Sequence, residues 1–73
     1  MTPAQMKAIR QALGLSTAQW GRALGYRGAN VQVQVRQLEN GVKPIPRFVA
    51  RLALMFERHG VPEGWLEEEL ERE

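Results

Sequence analysis

Cysteine is absent from the 73-residue sequence, which excludes disulfide bonds and thiolate-held metal. A small domain without disulfides fits the cytosol better than an oxidising compartment, so a cytoplasmic location is expected. No apolar stretch approaches the length of a membrane span, and the N-terminus lacks the apolar segment of a signal peptide. Histidine occurs once, as His59 near a helix end, where a cation interacts favourably with the helix dipole. No nucleophile, base or metal constellation and no phosphate-binding glycine loop can be assembled. The glutamates at 67–69 lack the spacing of a calcium loop. The expectation is therefore no enzyme, no cofactor, no metal and no small-molecule substrate. Aromatic residues make up only 7% of the chain, and the stacking platforms used for single-stranded nucleic acid are missing.

What is present is enough apolar surface, 44% of residues, for one modest core in a single domain spanning residues 1–73. The formal net charge of +2 hides an asymmetry. From Met1 to Phe56 eight cations face Glu39 alone, a balance of +7, whereas the chain from Glu57 onward carries −5. A basic body attracts polyanions, and an acidic tail should lie away from them.

Helix start and stop signals punctuate the chain. Thr2-Pro3-Ala4-Gln5 reads as an N-cap, a proline at the first helical position and a capping-box glutamine, with Met6, Ile9 and Leu13 at helical spacing and Gly14 as a stop. The first helix is about residues 3–13. Ser16-Thr17-Ala18-Gln19 is a second capping box, with Leu15 and Trp20 placed as a hydrophobic staple and Gly25 as a stop, for a second helix about 17–24.

The segment Val31-Gln32-Val33-Gln34-Val35 admits two readings. Valine alternating with glutamine is a half-buried strand pattern, yet Val31, Val35 and Leu38 also fall at helical spacing ahead of Asn40-Gly41. No partner strand exists elsewhere, and an isolated strand does not persist, so a third helix about 30–40 is expected. Pro44 and Pro46 lead into a fourth helix with Val49, Leu52, Ala53 and Phe56 as its apolar stripe and Gly60 as its end. Pro62 permits a last, acidic helix about 62–72 carrying Trp65, Leu66 and Leu70, which either docks a partner or packs Trp65 back on the core. The fold class is all-α, a compact bundle of four to five short helices with its core in residues 2–60.

Three stretches carry a resemblance: Ile9-Arg10-Gln11-Ala12-Leu13-Gly14-Leu15-Ser16, Trp20-Gly21-Arg22-Ala23-Leu24-Gly25 and Gln37-Leu38-Glu39-Asn40-Gly41, followed by the proline-led helix from Ile45-Pro46 to Phe56. Over about residues 2–58 the chain resembles the phage repressor and Cro family of helix-turn-helix DNA-binding domains. The resemblance implies a lambda-repressor-like fold, a small residue at Gly21 where two helices approach closely, and a structural ion pair between Arg10 and Glu39. The chain departs from the pattern in two places. Between Tyr26 and Glu39 it is about four residues longer, close to one helical turn. The addition is expected to lengthen the turn, because Arg27-Gly28 is a poor helix beginning. Thr17 also stands where the family often has a phosphate-binding glutamine.

If Val31, Val35 and Leu38 face inward, Val33, Arg36, Gln37 and Asn40 face outward, with Gln32 flanking them. Glutamine can bond adenine, arginine guanine, and valine a thymine methyl, so Gln32, Val33, Arg36 and Gln37 are the expected base readers. Gln34 lies at the boundary. Phosphate contacts are expected from Thr17, Arg22, Arg27, Asn40, Lys43 and Arg47. Lys7 and Arg51 are read as solvated surface. The expected function is a sequence-specific double-stranded DNA-binding transcriptional regulator, a repressor. It should act as a homodimer, because one short helix reads few base pairs and paired half-sites add specificity. The competing reading is a protein-interaction module on the same fold, antitoxin-like or an anti-repressor, without base readout.

Overall fold

The first two helices begin with reciprocal caps, each satisfying two backbone amides at a helix start. The computed structural model describes residues 1–67. In α1 (Pro3–Ala12) the Gln5 amide donates to Thr2 Oγ1 at 3.1 Å and the Thr2 amide donates to Gln5 Oε1 at 2.8 Å. In α2 (Thr17–Ala23) Ser16 and Gln19 make the same exchange at 3.1 and 3.0 Å. The helix ends are equally local. Gly25 turns at φ +100°, where a Cβ would be strained. That turn lets Gly25 and Tyr26 donate back to Arg22 and Gly21 at 3.1 and 2.9 Å. α1 closes in the same way, through Gly14 to Gln11 and Leu15 to Arg10.

The ambiguous valine segment is helical: α3 runs Val31–Glu39, and α4 runs Arg47–His59. Among the described residues there is no strand, and the molecule is a small all-α bundle. The chain between α2 and α3, residues 24–30, lies outside either helix. That connection is longer than the about three or four residues of a simple helix-turn-helix turn. Gly21 is buried where α2 crosses α3. A Cβ there would overlap Val31 Cγ1 and come within 2.9 Å of Val35 Cγ2.

Met6, Trp20, Val35, Val49 and Phe56 are the largest fully buried side chains. Trp20 meets Phe56 edge-on at 6.1 Å, and its indole N–H donates to Met6 Sδ at 3.2 Å, so the polar handle of this large ring is not left unpaired. Among the described residues, none that is buried as a whole is polar or charged.

The C-terminal expectation needs correction. No helix starts at residue 62. The chain turns through Pro62, Glu63 and Gly64, with Trp65 N–H donating to Pro62 O at 3.0 Å, and then makes a single 3-10 turn, Trp65–Glu67. The cause is tertiary: the Trp65 indole packs edge-on against Phe56 at 5.8 Å and donates to Ala23 O at 2.9 Å, fastening the segment to the core. Residues 68–72 of the expected helix, Leu70 among them, lie outside the described residues.

Candidate nucleic-acid interface

α3 has two unlike sides. Val31, Val35 and Leu38 are buried, while Val33 is 43% exposed and Arg36 and Asn40 are also exposed. Gln32, Gln34 and Gln37 are half-buried along the edges. Burial of the three apolar residues against Gly21 and the core fixes the rotation of the helix, so the outward set follows from its period. Asn30, the N-cap, makes no side-chain capping bond.

The end of α3 is held by two arrangements. Val42 and Lys43 both donate backbone N–H groups to Gln37 O, at 2.9 and 3.2 Å. The chain therefore folds back over the last turn and brings Lys43 beside Gln37 and Asn40. On the other side Glu39 receives Arg10: Nε to Oε2 at 2.8 Å and Nη2 to Oε1 at 3.3 Å, while Nη1 donates to Leu15 O at 3.1 Å. One guanidinium thus ties α3 to α1 and to the turn leading into α2. Its two-pronged geometry is the strong form of a carboxylate bond.

This pair also shapes the field. Glu39 is the only acid before Glu57 and its side chain is 5% exposed, bonded to Arg10 at 15%. The remaining cations of that stretch, Lys7, Arg22, Arg27, Arg36, Lys43, Arg47 and Arg51, are all exposed. The first 56 residues consequently present exposed cations and no exposed acid of their own.

The other residues singled out from sequence sit on neighbouring elements. Thr17 is half-buried at the first position of α2, Arg22 is on the same helix, Arg27 is in the turn, and Arg47 opens α4. Thr17, Arg22 and Arg47 make no hydrogen bond or ion pair with the outward face of α3 among the described residues. Half-burial of Tyr26 beside the core raises its phenol pKa above the ordinary 10.0. Sequence reading missed the outward apolar side chains of α4. Phe48 is 72% exposed and Met55 lies on the same side, seven residues on, a spacing that would have revealed them.

Among the described residues there is no cluster of three or more histidine or acidic side chains able to hold a metal, and no helix long and apolar enough to cross a membrane. Compared with known proteins, the chain matches no family model, no curated protein and no solved structure.

Proposed function

We propose that this chain is a sequence-specific duplex-DNA-binding protein of the phage repressor and Cro type, acting in the cytoplasm as a homodimeric transcriptional repressor. The observation that carries the reading is α3, which buries Val31, Val35 and Leu38 and leaves Val33, Arg36 and Asn40 in solvent. An α-helix fits the major groove, and this one offers an arginine for guanine, glutamines at 32 and 37 for adenine, and a valine for the thymine methyl. For the phosphates there are Lys43, whose backbone N–H is bonded to the Gln37 carbonyl at the end of α3, and the exposed Arg22, Arg27 and Arg47 on neighbouring elements. Thr17 adds a hydroxyl donor at the start of α2. Two copies on a palindromic or repeated site double the few base pairs that one α3 can read.

The test is selection of bound sequences from a random duplex pool, followed by titration of the enriched duplex at rising salt. Enrichment of a two-fold or repeated motif is expected, with affinity falling steeply as salt increases. A pool that stays random would sink the reading and favour a protein partner on the same fold.

A further inference from the structure

α4 is amphipathic in an unusual way. Its inner side, Val49, Ala53 and Phe56, is buried in the core. Its outer side consists of Arg47, Phe48, Arg51, Leu54, Met55 and Arg58, all exposed. Phe48 is 72%, Met55 42% and Leu54 38% exposed. Arg51, Leu54, Met55, Arg58 and His59 enclose a shallow cleft of about 230 Å³. The helix's one acid, Glu57, borders a different groove, facing Gln5 and Ala8 of α1. Three large apolar side chains beside three guanidinium groups make a surface whose complement is an apolar residue set among carboxylates.

The chain itself contains that complement. Residues 67–73 read Glu-Glu-Glu-Leu-Glu-Arg-Glu, five glutamates and one arginine around Leu70. Where this segment begins, Glu67 borders the same depression as Leu13 and Leu15, and none of these three borders the cleft on α4. Among the described residues, only side chains of α4 itself border the cleft.

We propose that the outer face of α4 is the surface on which a second copy of this chain docks, each copy laying its acidic 67–73 segment on the α4 of the other. The contact is reciprocal, as two-fold symmetry requires. Carboxylates meet Arg51 and Arg58, and Leu70 covers Met55. The proposal rests on the homodimer in the functional reading above and adds the surfaces that form it; the base-reading side of α3 stays free.

Sedimentation equilibrium of the full chain without DNA tests it, so a failure of DNA binding would leave the result untouched. The wild type is expected to be a dimer that weakens at least about tenfold between low and high salt, since exposed ion pairs are screened. Arg51→Glu with Arg58→Glu, and separately Glu68→Lys with Glu69→Lys and Glu71→Lys, should each weaken self-association about 100-fold or more, because like charges then face each other. Mixed in equal amounts, the two charge-reversed proteins should form a heterodimer, since both of its contacts regain opposite charge. Circular dichroism on each variant establishes that the fold is kept. A variant that unfolds is replaced by Met55→Glu, for which the same loss is expected. A monomeric wild type, a dimer indifferent to either reversal, or a mixture that remains monomeric would overturn the proposal. Restoration as a monomer only when both reversals sit in one chain would mean that the segment covers its own α4, and would overturn it too.

Discussion

Gly21 of α2 and Val31 of α3 touch so closely that a methyl group on the Gly21 Cα would overlap the valine's Cγ1. The first residue of α3 is thereby seated on the middle of α2, which sets the rotation of the helix proposed to read DNA. Gly21→Ala should therefore destabilise the protein even though alanine is the better helix former by about 1 kcal/mol. Val31 is stiff at χ1 and buried, so relief requires the helices to part, and a net loss of about 1–2 kcal/mol is expected. Urea denaturation reads it. Adding Val31→Ala to Gly21→Ala should recover part of the loss, and a fully additive double variant would show that the clash is not the cause.

The Arg10–Glu39 pair makes a second stability prediction. Glu39 is almost wholly enclosed and its partner spends all three guanidinium nitrogens on Glu39 and Leu15 O. Removing one member leaves the other without its counter-charge, so Glu39→Leu should cost on the order of 2–4 kcal/mol. Replacing both, as Arg10→Met with Glu39→Leu, should cost far less than the two single changes together, because no uncompensated charge remains. Thermal melts of the four proteins complete the cycle.

Much of this fold was legible because its signals are local. Thr2 with Gln5 and Ser16 with Gln19 are caps whose chemistry spans four residues, and the observed bonds join the same atoms that the pattern requires. The Val31-to-Val35 stretch was ambiguous because alternation and helical spacing coincide there; packing on Gly21, a contact across ten residues, resolves it. The start of the last element was misplaced at Pro62 because what shapes it is the bond from Trp65 to Ala23 O, 42 residues away, which no local pattern encodes. The outward Phe48 and Met55 are a different case: their seven-residue spacing is a local signal, but Val49, Ala53 and Phe56 already complete the inward stripe, so the second apolar side was passed over. The orientation of Arg36 and Val33 was legible from period alone, whereas the fold-back that brings Lys43 to Gln37 was not.

Tyr26 supplies a pH dependence. Burial raises its phenol pKa above 10.0 in the folded protein, so the neutral form is favoured there relative to the unfolded chain. Its contribution to stability is complete below the unfolded value and is lost as pH rises through the higher folded value. Melting temperature should fall more steeply in the wild type than in Tyr26→Phe between about pH 9 and pH 11, the range in which a phenol titrates. Lysines and arginines are common to both proteins, so the difference between the two curves isolates the phenol. Parallel curves would remove Tyr26 from the account.

The division of labour on the proposed DNA surface makes the sharpest distinction. Arg36 is exposed on the outward side of α3 and Gln37 lies at its edge, whereas Lys43 stands beyond the helix end. A base contact discriminates by about 1–3 kcal/mol, so Arg36→Ala or Gln37→Ala should lower affinity for the selected duplex and broaden preference at one position of each half-site. Lys43→Ala removes a charge that recognises any phosphate, so it should weaken every duplex alike and reduce the slope of log affinity against log salt by about one per site. Binding measured on the selected duplex and on single-base variants of it, at several salt concentrations, separates the two effects. If all three variants lose affinity uniformly and preference is unchanged, α3 is not the reader, and the basic surface binds DNA without recognising its sequence.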